Sequence, residues 1–157
     1  IYANLSYKGF SANILFQGAT SRDMYIEDVV RGQSTGGYTV VYPYQLDYWM
    51  PDNRDAKYPR IAMNSNVNGN NNYVQSDFWL VNGRYIRLKS LQIGYDFRTV
   101  LLKNVKWLYK CQVMLSGQNL FTISPATKYG FDPENGSTNN YDYPMQRVYS
   151  ISLNLGF

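Results

Sequence analysis

The nine residues YSISLNLGF, Tyr149–Phe157, alternate without a single exception. Tyr149, Ile151, Leu153, Leu155 and Phe157 fall on one side, and Ser150, Ser152, Asn154 and Gly156 on the other. Side chains of a strand point to opposite faces in turn, so this period of two predicts a strand with one apolar and one polar face. The polar side is unusual. It carries small uncharged groups rather than the Lys and Glu of a solvated sheet.

The same pattern recurs upstream. Cys111, Val113, Leu115 and Phe121 share a face opposite Gln112, Ser116 and Gln118, with Gly117 and Asn119 interrupting it near the end. Leu91, Ile93, Tyr95 and Phe97 alternate with Ser90, Gln92, Gly94 and Asp96, while Ile86 and Leu88 are out of phase. Either a bulge near Leu88–Ser90 restores the register, or the strand leaves the apolar zone there. Phe10, Ala12, Ile14 and Phe16 form a fourth apolar face, and Ile1, Ala3, Leu5 and Tyr7 a fifth. Lys8-Gly9 between them reads as a tight hairpin.

Five strands follow, joined by connections that run short, long, short, long. Ala19–Gln75 holds about 57 residues and Ile123–Tyr143 about 21, whereas Lys8-Gly9 and Arg98–Tyr109 are compact. Long loops of this kind are uncommon in compact domains, and the asymmetry is that of a transmembrane β-barrel. Aromatics at strand ends fit interfacial girdles: Tyr7, Phe10, Tyr95, Phe97, Tyr109 and Phe157 at one end, and Phe16, Phe121 and Tyr149 at the other. A soluble β-sandwich remains the competing reading. The unsolvated character of the polar faces favours the barrel.

Composition narrows the function. Among 157 residues there is no His and one Cys, Cys111. These counts exclude Ser–His and Cys–His nucleophiles, His-ligated metals and a disulfide framework. No run of 18 apolar residues is present, so no transmembrane helix is expected. Of 15 basic residues against 11 acidic, Arg98, Lys103, Lys106 and Lys110 cluster in or beside one connector, where anionic headgroups would favour them. Four charges on one turn are no nucleic-acid stripe, so no nucleic-acid partner is expected.

Several segments then carry a family pattern in order: YKGFSANILFQG (Tyr7–Gly18), W-x-P-x-N-x-x-A-x-Y-P-R (Trp49–Arg60), FWLVNGRYIRLKSLQIGYDF (Phe78–Phe97), SGQNLFTIS (Ser116–Ser124), GFDPE (Gly130–Glu134), Tyr143-Pro144 and the terminal LNLGF. Together they resemble the SusC/RagA-type TonB-linked outer-membrane proteins. The resemblance covers nearly the whole chain. It implies an all-β, antiparallel transmembrane barrel of about 22 strands, of which residues 1–157 would be the last five strands, without the plug domain. It also implies a bacterial outer membrane of the Bacteroidetes type, extracellular long loops and a periplasmic C-terminus. The implied function is TonB-dependent import of oligosaccharides or peptides, together with a SusD-like surface lipoprotein. The TonB complex would act through the plug. No enzyme activity and no cofactor are implied. The alternatives are a soluble carbohydrate-binding β-module and a passive porin-like channel.

Candidate residues follow from these readings. The resemblance suggests that Tyr149, Ile151, Leu153, Leu155 and Phe157 are read by the barrel-assembly machinery, while the pattern itself places them against lipid. Ser116, Gln118, Ser152 and Asn154 are expected to face the lumen. Tyr44, Tyr48 and Trp49 are contact candidates in a long loop that also holds Tyr38, Tyr42 and Tyr58, although packing of loop against loop explains such tyrosines as well. Asp132, Glu134, Asn135 and Asp142 offer calcium-type oxygens, but a turn through Pro133 and Gly136 accounts for them better. Asp23, Glu27 and Asp28 read as a solvated surface, Asn82-Gly83 as a turn, and Cys111 as a small lipid-facing hydrophobe.

Overall fold

A computed structural model describes residues 1–27, 41–61, 67–135, 142–143 and 145–157. The expected Tyr38, Asp28, Gly136 and Pro144 lie outside them. The fold is all-β. Strands β1 (Tyr2–Tyr7), β2 (Phe10–Ala19), β5 (Tyr85–Asp96), β6 (Lys110–Ile123) and β7 (Val148–Gly156) form one antiparallel sheet in that order. Two three-residue strands far apart in sequence, β3 (Asp23–Tyr25) and β4 (Leu80–Asn82), form a second antiparallel ladder. The chain divides into two compact units. One holds Ile1–Ala19, Tyr85–Ile123 and Met145–Phe157; the other holds Thr20–Arg84 and Ser124–Pro144.

In the sheet unit, β1 and β2 meet in a hairpin with positive φ at both Lys8 (44°) and Gly9 (86°). That pair of angles matches the strand twist, and Gly at the second position adopts it without strain. The expected bulge is present. Between β2 and β5 the register slips at Leu15/Phe16, leaving Lys89 as the extra residue on β5; between β5 and β6 it slips at Leu88/Ser90, where Asn119 and Leu120 of β6 stand against Lys89 alone. Leu88 consequently pairs with Phe16 and Phe121, on the apolar face.

The connector after β5 opens with one helical turn, α1 (Phe97–Val100), capped by the Asp96 side chain accepting from the Arg98 N–H at 2.9 Å. Arg98 is not a free headgroup charge. Its guanidinium donates to the Leu108 carbonyl (2.7 Å) and the Leu102 carbonyl (2.9 Å) and so closes the connector on itself. Lys103, Lys106 and Lys110 remain exposed.

The loop unit has its own core. Met24, Ile26, Tyr58, Tyr73, Trp79, Val81, Ala126, Tyr129 and Phe131 are all buried in one cluster. Residues of both long loops contribute to it. Trp79 stacks with Tyr73 (6.4 Å, 13°) and with Tyr58 (6.5 Å, 28°), and its indole N–H donates to the Asn72 carbonyl. Such ring pairs add to area burial, so the loops bury a core without regular periodicity.

Candidate functional site

The sheet unit sorts its side chains by face. Cross-strand partners share a face, and the register lines up Leu5, Ala12, Ile93, Leu115 and Ile151 in one row. The next row is Tyr7, Phe10, Tyr95, Val113 and Leu153. Cys111 pairs with Leu155 on the same face. This face is uncovered: Leu115 is 50% exposed, Ile93 40% and Phe10 56%. The buried apolar residues of the sheet unit are Leu88 and Leu108 alone among the described residues, so no hydrophobic core sits on this face.

The opposite face is polar. Asn4, Asn13, Gln92, Ser116 and Ser150 form one row, and Gln118 pairs with Ser90, Ser152 with Met114 and Asn154 with Gln112. Asn13 donates to the Gln92 side-chain carbonyl at 3.4 Å. Arg87 is 2% exposed and its Nε donates to Thr122 Oγ1 at 2.7 Å, a buried cation that the sequence pattern did not single out. The four expected lumen residues, Ser116, Gln118, Ser152 and Asn154, thus lie on one face, and Tyr149, Ile151, Leu153 and Leu155 lie on the other.

Aromatic rings gather at the sheet's short-connection end. Phe10 meets Tyr95 at 4.7 Å, Tyr95 meets Phe97 at 4.8 Å, and Trp107 stacks on Phe157 at 5.6 Å and 4°. Tyr109 lies against Gly156, where a Cβ would come within 2.6 Å of its ring. Phe16 and Phe121 pair at 6.3 Å toward the opposite end. Strand β7 is an edge, with β6 as its neighbour, and every residue but Gly156 is exposed.

The three loop candidates separate. Tyr44 packs inward, edge-on to Tyr58 (5.2 Å) and Tyr129 (4.9 Å). Tyr48 is half-buried and bridges Tyr58 through its backbone. Asn53 of the W-x-P-x-N pattern is structural as well, donating to the Tyr48 carbonyl at 3.2 Å. Trp49 stays 40% exposed and lines a cleft of ≈ 580 Å³ with Lys57, Arg60 and Phe78. Burial pushes the Tyr58 phenol at its base well above the ordinary tyrosine range, and its hydrogen bond with Tyr129 and the Asp47 charge act the same way. Asp132 accepts from the Glu134 N–H at 2.9 Å, the turn expected around Pro133. Asn82 likewise accepts from the Arg84 N–H at 3.0 Å.

An uncovered apolar face opposite a polar one is the cross-section of a barrel wall in lipid. The TonB-dependent receptor P3 of Formosa agariphila is 26% identical over 166 residues, 98% of this chain and 16% of its own length. The TonB-dependent receptor P39 of the same organism is 26% identical over 162 residues, 96% of this chain and 15% of its own. Nearly the whole chain is thus similar to segments of two TonB-dependent receptors. No protein-family model matches it. Among solved structures, the RagAB peptide importer in its open-open state superposes with a TM-score of 0.67 at 25% identity, covering 97% of this chain and 16% of that one. A further structure of the RagAB peptide transporter gives 0.65 at 24% identity, again covering 97% and 16%. The chain therefore spans about one sixth of the receptors and transporters it resembles.

Proposed function

We propose that residues 1–157 contribute five of about 22 wall strands to the barrel of a TonB-dependent outer-membrane importer. The observation that carries this reading is the bare apolar sheet face. In water, a contiguous exposed patch of this kind marks an interaction surface; against lipid it needs no further cover. The edges β1 and β7 would pair with other strands of the same barrel, because open edges leave unsatisfied backbone groups in hydrocarbon.

In this arrangement the long loops face the medium, the Lys8-Gly9 hairpin and the Arg98–Tyr109 connector face the periplasm, and the exposed Lys103 and Lys106 meet headgroups there. The polar rows of Ser116, Gln118, Ser152 and Asn154 line the lumen. The cargo is an oligosaccharide or a peptide, delivered with a SusD-like surface lipoprotein and driven by the TonB complex acting on a plug. The chain itself does no chemistry on the cargo. Similarity to a peptide importer supports import of small polymers. Growth on a candidate nutrient is the test. Cells carrying the complete receptor should lose uptake when TonB is deleted; uptake that persists would point to a passive channel instead.

A further inference from the structure

The loop cleft has the composition of a ligand site, and we infer that it binds an acidic oligosaccharide. Its ≈ 580 Å³ lies within the range of small-molecule sites. Tyr58 and Trp79, both buried, form its base, and Phe78 stands edge-on to each at 6.1 and 4.9 Å. These rings fix one another, so the exposed part of Phe78 is held in place without a ligand, and the Trp49 backbone N–H donates to the Tyr58 carbonyl at 2.9 Å beside them. A pre-set flat aromatic surface suits the C–H face of a pyranose ring, since little ordering remains to be done on binding.

Charge selects among sugars. Lys57 and Arg60 both line the cleft, and among the described residues none that lines it is acidic. The Lys57 ammonium lies 5.5 Å from the Tyr58 ring centre, over the same aromatic base. Asp47 is not in the lining; its carboxylate accepts from the Lys57 backbone N–H (3.3 Å) and from the Asn53 side chain (3.4 Å), leaving the Lys57 ammonium and Arg60 as the charges on the cleft wall. Two cations beside an aromatic base attract a ring carrying carboxylate or sulfate and offer a neutral sugar no matching contact. Asn71, Asn72 and Ser76 supply amide and hydroxyl groups for sugar hydroxyls.

A peptide fits less well. A peptide that binds by strand addition is held by the backbone edge of a strand. The residues around this cleft lie in turns and 3₁₀ segments, Val67–Tyr73 and Asp77–Trp79 among them, and none belongs to a named strand.

The inference rests on the loop unit facing the medium, and its test is independent of transport. The complete receptor in detergent is titrated calorimetrically with trigalacturonate, with a neutral trisaccharide and with triglutamate. Trigalacturonate should bind. Trp49→Ala and the pair Lys57→Gln/Arg60→Gln should each weaken it at least about tenfold, the loss of one good contact, and Trp49→Phe should restore part of the affinity. Trp49 is exposed, so its removal leaves the loop core intact; an unchanged thermal transition checks this. Equal binding by the variants, equal binding of the neutral sugar, or preference for triglutamate would overturn the inference. So would absence of trigalacturonate binding in a receptor that still supports TonB-dependent growth, which would leave the proposed import function standing.

Discussion

Replacing Ile151 by Arg should destabilise the receptor according to membrane depth, and the structure sets the scale. Ile151 pairs with Leu115, five residues along β6 from Lys110. With a rise of about 3.4 Å per residue and a tilt of about 40°, those five residues climb about 13 Å. Taking Lys110 as the edge of an apolar band about 25 Å tall, Ile151 sits near its midplane. Arg there costs about 2–4 kcal/mol. Leu155 pairs with Cys111, one residue from Lys110, hence about 3 Å inside the band. Arg at Leu155 should cost about 0–1 kcal/mol. Arg at Ser152, on the polar face next to Ile151, should leave stability nearly unchanged. The assay is denaturant unfolding of the complete receptor in lipid vesicles, wild type against the three variants. A soluble sandwich would bury Ile151 and Leu155 under the same second layer and give both a large loss. Equal losses at 151 and 155, or a loss at Ser152 matching that at Ile151, would refute the reasoning.

The other predictions concern the loop unit and the connector. Trp79→Ala removes a 1% exposed indole and should cost the loop unit about 3–5 kcal/mol; limited proteolysis should then cut within residues 20–84 while the sheet stays protected. Gly156→Ala forces the Tyr109 ring aside and should cost about 1–3 kcal/mol, and adding Tyr109→Ala should recover part of it in a double-mutant cycle. Tyr58 has a raised folded pKa against about 10 unfolded, so its neutral form stabilises the loop unit below pH ~10 and that contribution is lost as pH rises further. Tyrosinate absorbance at high pH should lose a late-titrating contribution in Tyr58→Phe; an unchanged late part of the titration would contradict the burial argument.

The sheet was legible because its signal is periodic. The bulge shows the logic well. Ile86 and Leu88 are out of phase with Leu91–Phe97; the extra Lys89 brings Leu88 back opposite Phe16, and a matching extra residue on β6, within Asn119–Leu120, brings it opposite Phe121. The faces of β7 followed from nine residues of strict alternation. The loop unit was not legible in the same way. Strands of three residues, Asp23–Tyr25 and Leu80–Asn82, are too short for a period of two to stand out. Tyr58, Tyr73, Trp79 and Tyr129 come together from separate turns, and no spacing along the chain announces that they share a core. The Trp49–Arg60 pattern did mark the place where Tyr58 goes inward and Trp49 stays out. Arg98 was misleading as a charge because its role is set by two carbonyls, of Leu102 and Leu108, that only the folded connector brings to it.

The face assignment of the last strand is the most direct test of the account. Single spin labels at positions 149 to 155 of the complete receptor, in lipid and with Cys111 replaced, report collision with oxygen dissolved in lipid and with a water-soluble nickel chelate. Oxygen collisions should peak at 149, 151, 153 and 155, and nickel collisions at 150, 152 and 154, the two profiles running in opposite phase. Water access at both sets of positions, or the reverse phase, would contradict the placement of this strand in a barrel wall.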